Sequence, residues 1–126
     1  MNKPLQILSE KYDLVHQESA SSPRIDSAGN KYWYSDKEEL HRTDGPAIEY
    51  AAGSKQWWIN GKRHRIDGPA VEATDGTKEW WVNGKEHRTD GPAYENTAGD
   101  KIWMLDGKKH RLDGPAVEET DGTKEW

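Results

Sequence analysis

The sequence predicts an all-β repeat protein, an elongated antiparallel sheet of tandem β-hairpins, and three observations carry that prediction. Histidines stand at His41, His64, His87 and His110, each 23 residues after the last, and their neighbours recur with them. Inside the later copies lie Asn60-Gly61, Asn83-Gly84 and Asp106-Gly107, pairs that tolerate the positive φ angles of a type I′ hairpin turn. Phe is absent and only 32% of residues are apolar, yet there are seven Trp and five Tyr, so the core is thin and built from aromatic rings. A unit of this size is one supersecondary element that buries its apolar surface only against the next copy.

Residues 1–27 stand outside the repeat. Leu5, Leu8, Tyr12 and Val15 fall at helical spacing behind Asn2, a candidate N-cap, and Pro4, which a first helical turn accepts, so a short N-terminal cap helix is expected. The polar stretch Glu18 to Pro23 reads as a linker. Residues 28–126 hold four units and a partial fifth. The first unit departs in its turn, where Ser35 to Glu39 replace the Asn-Gly-Lys sequence and add one residue.

A two-residue turn at Asn60-Gly61 sets Ile59 opposite Lys62, Trp58 opposite Arg63 and Trp57 opposite His64. The alternation then places Trp33, Trp57, Trp80, Trp103 and Trp126 in one row and Tyr34, Trp58, Trp81 and Met104 on the opposite face. Pro46, Pro69, Pro92 and Pro115 cannot donate to a central ladder, so the chain turns or runs along an edge there. A short strand such as Ala70 to Glu72 comes next and leads through Asp75-Gly76 to the next unit. The last segment, Thr120 to Trp126, repeats Thr74 to Trp80 residue for residue and supplies a further strand, whose unpaired edge suits a homodimer.

A formal charge of -5 argues against nucleic acid as a partner. There is no Cys, so neither disulfides nor thiolate metal sites enter the argument, and no run of residues has the length and apolarity of a membrane span. Together with the absence of a leader-like start, these features lead us to expect a cytoplasmic protein that carries no cofactor and no metal.

The recurring His-Arg-x-Asp set invites a catalytic reading, because it joins an acid/base, a cation and a carboxylate. Recurrence in every copy points instead to packing between units, with the histidines and the first Trp row as structural ladders: His64 against Trp57, Arg65 against a neighbouring Asp. One His per unit with no companion ligand lacks metal spacing. Asp44, Asp67, Asp90 and Asp113 are expected to shape the Asp-Gly-Pro turns. Lys55, Lys78 and Lys101 are expected to form exposed pairs with Glu49, Glu72 and Glu95, each worth about 0.2–1 kcal/mol. No residue is assigned to catalysis. The row Tyr34, Trp58, Trp81 and Met104 has two readings: facing solvent, it is a partner-binding stripe flanked by Arg63, Arg65 and Arg88, and with the sheet folded over it, it is core. Thr43, Ile66, Thr89 and Leu112, which vary between copies, are expected to tune a partner's fit.

The run Trp-x-Asn-Gly-Lys-x-His at a 23-residue interval resembles the MORN repeat over residues 28–126. The chain departs where that family continues His-Gly-x-Gly, having His64-Arg65-Ile66-Asp67-Gly68-Pro69-Ala70 instead. It is thus similar to MORN-like repeat proteins of bacteria and phages, some of them antitoxin-like. The resemblance implies a single elongated sheet and a scaffolding or protein-binding role without enzymatic activity. An antitoxin-like or phage-encoded inhibitor of a host defence enzyme, acting in the host cytoplasm, is the sharper form of that expectation. The alternative is a nucleotide or small-ligand sponge that binds through Trp, Arg and His at a dimer interface.

Overall fold

The computed structural model describes residues 22–126, and the expected cap helix lies outside the described residues. In chain order the first eight strands are β1 (Arg24–Ile25), β2 (Lys31–Tyr32), β3 (Ile48–Glu49), β4 (Lys55–Gln56), β5 (Trp58–Ile59), β6 (Lys62–Arg63), β7 (Val71–Glu72) and β8 (Lys78–Glu79). The other eight are β9 (Trp81–Val82), β10 (Lys85–Glu86), β11 (Tyr94–Glu95), β12 (Lys101–Ile102), β13 (Met104–Leu105), β14 (Lys108–Lys109), β15 (Val117–Glu118) and β16 (Lys124–Glu125). Among the described residues there is no helix.

Ten of these strands make one antiparallel sheet in the order β1-β2-β3-β4-β7-β8-β11-β12-β15-β16, and the remaining six pair as the hairpins β5-β6, β9-β10 and β13-β14. Each unit therefore gives one strand to the sheet, turns outward through a hairpin, and returns with a second. The hairpin register is the expected one, with Trp58 opposite Arg63 and Ile59 opposite Lys62. The turns explain it: Asn60, Asn83 and Asp106 have φ of 50, 52 and 50°, followed by Gly61, Gly84 and Gly107 at 78, 80 and 80°, the left-handed pair of a type I′ turn. In the first unit the Tyr34–Leu40 bridge takes the place of a hairpin.

The first Trp of each unit joins sheet to hairpin. Trp57 donates its N–H to the Ala70 carbonyl at 2.8 Å, while its own carbonyl accepts from His64 N at 3.1 Å. Trp80 and Trp103 repeat the arrangement with Ala93 and His87, and with Ala116 and His110. Ala47, Ala70, Ala93 and Ala116 are buried to 0, 0, 0 and 3% exposure, so only a methyl group fits where each strand of the returning limb enters the sheet. Trp33, Ile48 and Val117 are the larger members of this thin core.

Successive hairpins are stitched by backbone bonds. Gly84 N donates to Arg63 O at 2.9 Å and Arg65 N to Trp81 O at 3.0 Å, and the same pair of bonds recurs at the flanking junctions. The hairpins thus form a second ladder beside the main sheet, which the row pattern alone does not separate from it. A second difference concerns Arg24–Ile25, read from sequence as lying ahead of the repeat. They form β1 and pair with β2, because Asp26 to Asn30 close a corner in which Asp26 Oδ1 accepts from the N–H groups of Ala28 and Asn30.

Candidate functional site

The arginine that comes after each histidine is the centre of a cluster repeated four times. Arg88 lies over the Trp80 ring with its Cζ 3.8 Å from the centroid. Its Nε donates to Asp90 at 3.0 Å, and its Nη1 to the Pro92 carbonyl at 3.0 Å and to Glu95 at 3.2 Å. Arg42, Arg65 and Arg111 stack on Trp33, Trp57 and Trp103 at 3.8, 3.8 and 3.6 Å and reach the corresponding Asp, Pro and Glu groups. A planar fork with several N–H donors is required for this, since a single ammonium cannot serve three acceptors and a ring face together. The glycine of each Asp-Gly-Pro turn makes room: a Cβ on Gly91 would lie 2.8 Å from Arg88 Cζ. The close fit at Arg111 with Glu118 holds the guanidinium pKa above its ordinary value.

Two expectations change here. The ring of the first Trp is covered by arginine, one residue beyond the histidine expected to lie against it. The glutamates expected to pair with lysines accept from Arg42, Arg65 and Arg88 instead. Lys55 does stand opposite Glu72, and Lys78 opposite Glu95, in strand register. Among the described residues, however, no ion pair joins Lys55, Lys78 or Lys101 to a glutamate, because the arginine fork holds the carboxylate from the other side.

The histidines face the next unit. Nδ1 of His41, His64 and His87 accepts the backbone N–H of Asn60, Asn83 and Asp106, each at 3.0 Å, so the first turn residue of every hairpin is held by the preceding imidazole. His41 is buried, His64 and His87 are half-buried, and His110 is exposed. Imidazole and guanidinium of one unit therefore point to different tasks: His87 toward the next turn, Arg88 toward Trp80.

The second row runs along the hairpin ladder. Tyr34, Trp58, Trp81 and Met104 are all half-buried, midway between the solvent-facing and core positions that the alternation left open. Arg24 lies 4.2 Å from the Tyr34 centroid. Arg63 sits between two indoles, 5.3 Å from the Trp58 centroid and 5.1 Å from that of Trp81. Trp58 and Trp81 donate Nε1–H to Gln56 and Glu79 at 2.9 and 2.8 Å. Of the three arginines expected to flank this row, Arg63 brings its guanidinium group to it, whereas Arg65 and Arg88 reach it through backbone N–H bonds to the Trp81 and Met104 carbonyls and turn their guanidinium groups to the first-Trp clusters. Trp126 is exposed, at 85%.

Glu86 stands opposite Trp81 in this ladder, and burial, reinforced by the neighbouring Glu79 carboxylate, pushes its pKa up, against a smaller pull from Arg63. Between the ordinary value of 4.5 and the raised one, the folded chain keeps a proton that the unfolded chain has released. Stability therefore falls as pH rises through that window, and at neutral pH the ionised group is a net cost. Glu86→Gln is expected to raise the urea midpoint at pH 7 and to change it little at pH 4. A lower midpoint at pH 7 would refute this account.

On the side of the arginine loops, neighbouring turns enclose three equivalent clefts of 750, 640 and 430 Å³. The middle one is floored by Trp80, Val82 and His87 and walled by the loops 65–69 and 88–90. Its neighbours use Trp57, Ile59 and His64, and Trp103, Leu105 and His110. The crests between clefts carry the varying residue of His-Arg-x-Asp, and two of these are large apolar side chains held out in solvent, Ile66 at 77% and Leu112 at 92% exposure. Beside them stand the carboxylates of Asp67, Asp90 and Asp113, at 86, 83 and 88%. The variation at Ile66 and Leu112 is visible in the sequence, but the clefts are not, because they exist only where each arginine folds back under its own loop.

Among the described residues no group of three or more His, Asp or Glu side chains is arranged to hold a metal ion, and no helix is long and apolar enough to cross a membrane. No protein-family model matches the chain, and neither a curated protein nor a solved structure does.

Proposed function

We propose that this chain is a non-enzymatic protein-binding repeat module, a MORN-like array whose loop face is the contact surface. One observation carries the reading. In each complete unit the arginine and its carboxylates are engaged in bonds that build the array, whereas Ile66 and Leu112 protrude from the crests as large apolar groups without cover. Exposed apolar side chains framed by polar groups and regularly spaced clefts have the make-up of a protein interface. The half-buried row at Trp58 and Trp81 adds a second aromatic surface on the hairpin ladder.

A small-ligand reading has one observation in its favour, since clefts of 430–750 Å³ with a Trp, a His and an Arg fall in the size range of ligand sites. The guanidinium groups are held through Nε and Nη1 by Asp, Glu and a backbone carbonyl, which leaves a phosphate only the remaining Nη2 donors. The apolar side chains of Ile66 and Leu112 are open to a protein without any change in these bonds.

The test is affinity capture from a cell lysate with the native chain and with an Ile66→Ser/Leu112→Ser variant, both substitutions lying at exposed positions. The expected result is a protein retained at near-stoichiometric yield by the native chain and lost by the variant. An enzyme among the retained proteins, inhibited on addition of the chain, would support the inhibitor form of the proposal. Retention of no protein, with a nucleotide released on heating, would overturn it in favour of the small-ligand reading.

A further inference from the structure

The loop face has a fixed period, and that period selects the conformation of what binds it. Each unit contributes two strands to the sheet, so with adjacent strands roughly 4.7–4.9 Å apart the Asp-Gly-Pro loops recur about every 9.5 Å along the array. A polyproline II helix rises about 3.1 Å per residue with three residues per turn, so every third residue returns to the same side after about 9.3 Å. Over the three intervals between the four loops the mismatch stays below about 1 Å. A β-strand covers a similar distance in three residues, but its side chains alternate with period two and every second contact would face away. An α-helix needs about 6.3 residues for one loop interval, at its rise of about 1.5 Å, and no whole number of residues keeps one face on the crests.

The crests also carry a definite charge. In each loop one arginine bonds one aspartate and one glutamate, as at Arg88 with Asp90 and Glu95, and strand lysines stand opposite that glutamate in register, so the uncovered negative charge is local to the crest aspartate. The aspartates carry that charge outward, being exposed, while the arginines lie beneath them on the indoles. Between the crests, the clefts are lined by Ile59 or Val82 beside an indole that carries its arginine on one face, an apolar and aromatic lining of the kind that receives proline rings. We infer that the loop face docks a cationic, proline-rich segment of a partner protein in polyproline II conformation, with a Lys or Arg at every third position meeting successive aspartates and prolines filling the clefts. This inference rests on the protein-binding reading above and names the partner's chemistry.

The experiment is fluorescence anisotropy with labelled synthetic peptides. One peptide has four Pro-Pro-Lys triplets, a second has four Pro-Pro-Pro-Lys quartets with the same charge, and a third replaces lysine by glutamate in the triplets. The triplet peptide is expected to bind the native chain at least about tenfold more tightly than the quartet peptide, with no binding of the acidic one. Asp67→Asn/Asp90→Asn keeps the oxygen that accepts from each arginine and removes the charge, and it is expected to weaken triplet binding about tenfold. Ile66→Ser/Leu112→Ser is expected to do the same. Equal binding of triplet and quartet, no binding of either, or affinity unchanged in both variants overturns the inference. The peptide comparison uses the native chain, so it decides the matter even where a variant fails to fold. If a lysate protein is retained through Ile66 and Leu112 while neither basic peptide binds, the protein-binding reading stands and this inference falls.

Discussion

Replacing Arg88 by alanine is expected to destabilise the array by about 2–3 kcal/mol, read as a lower urea midpoint monitored by tryptophan fluorescence. The substitution removes the stack on Trp80 and three bonds, to Asp90, the Pro92 carbonyl and Glu95. These do not contribute equally. Asp90 is 83% exposed, so water screens that pair and its share is small. The bond to the Pro92 carbonyl and the desolvated face of Trp80 dominate, because neither is easily replaced by solvent once the loop has closed. Arg88→Lys is expected to recover less than half of the loss, since an ammonium lacks the flat fork that covers the indole and reaches two directions together. A midpoint within error of the native chain for Arg88→Ala would mean that the cluster is a by-product of the fold and not a cause of it.

Trp80→Ala is expected to cost about 3 kcal/mol, near the lower end for deletion of a large aromatic side chain because the ring is half-buried. The loss has two parts: the space left by the buried part of the indole, and the removal of the surface on which Arg88 lies. Trp80→Phe retains a ring for the guanidinium and is expected to recover roughly half. The informative control is Trp126, the same residue type in the same row. It is 85% exposed, and its replacement by alanine is expected to change stability by less than about 0.5 kcal/mol. Equal effects at the two positions would show that burial does not rank the row.

Much of this architecture is legible in the sequence, for identifiable reasons. Asn60-Gly61, Asn83-Gly84 and Asp106-Gly107 admit one turn geometry, and that geometry fixes the opposite pairs, as Trp58 with Arg63. The 23-residue interval gives the tandem arrangement directly. What escapes is the path of the chain where the pattern has no period. At Trp57 the chain leaves the main sheet and enters a hairpin, and the period-two row pattern carries no mark of that passage. The choice between His64 and Arg65 as the neighbour of Trp57 is a matter of one residue, and only the fold-back of the Asp-Gly-Pro loop decides it. Strand β1 has a legible signal too. Asp26 to Asn30 match the corners at Ala73 to Thr77 and Asn96 to Asp100 in kind, and a residue pair before a corner is a strand in every other copy.

The division of labour between Arg88 and His87 has a consequence for how such a chain changes over generations. The guanidinium cluster closes each unit upon itself, while the imidazole and the hairpin backbone meet the next unit through groups that every unit possesses. A copied or deleted unit of 23 residues would therefore find its donors and acceptors in place on both sides, with no interior to redesign. Length becomes a heritable dimension separate from sequence: the array behaves as a ruler whose graduations can be added one at a time, and its reach can be selected without disturbing the chemistry of any single mark.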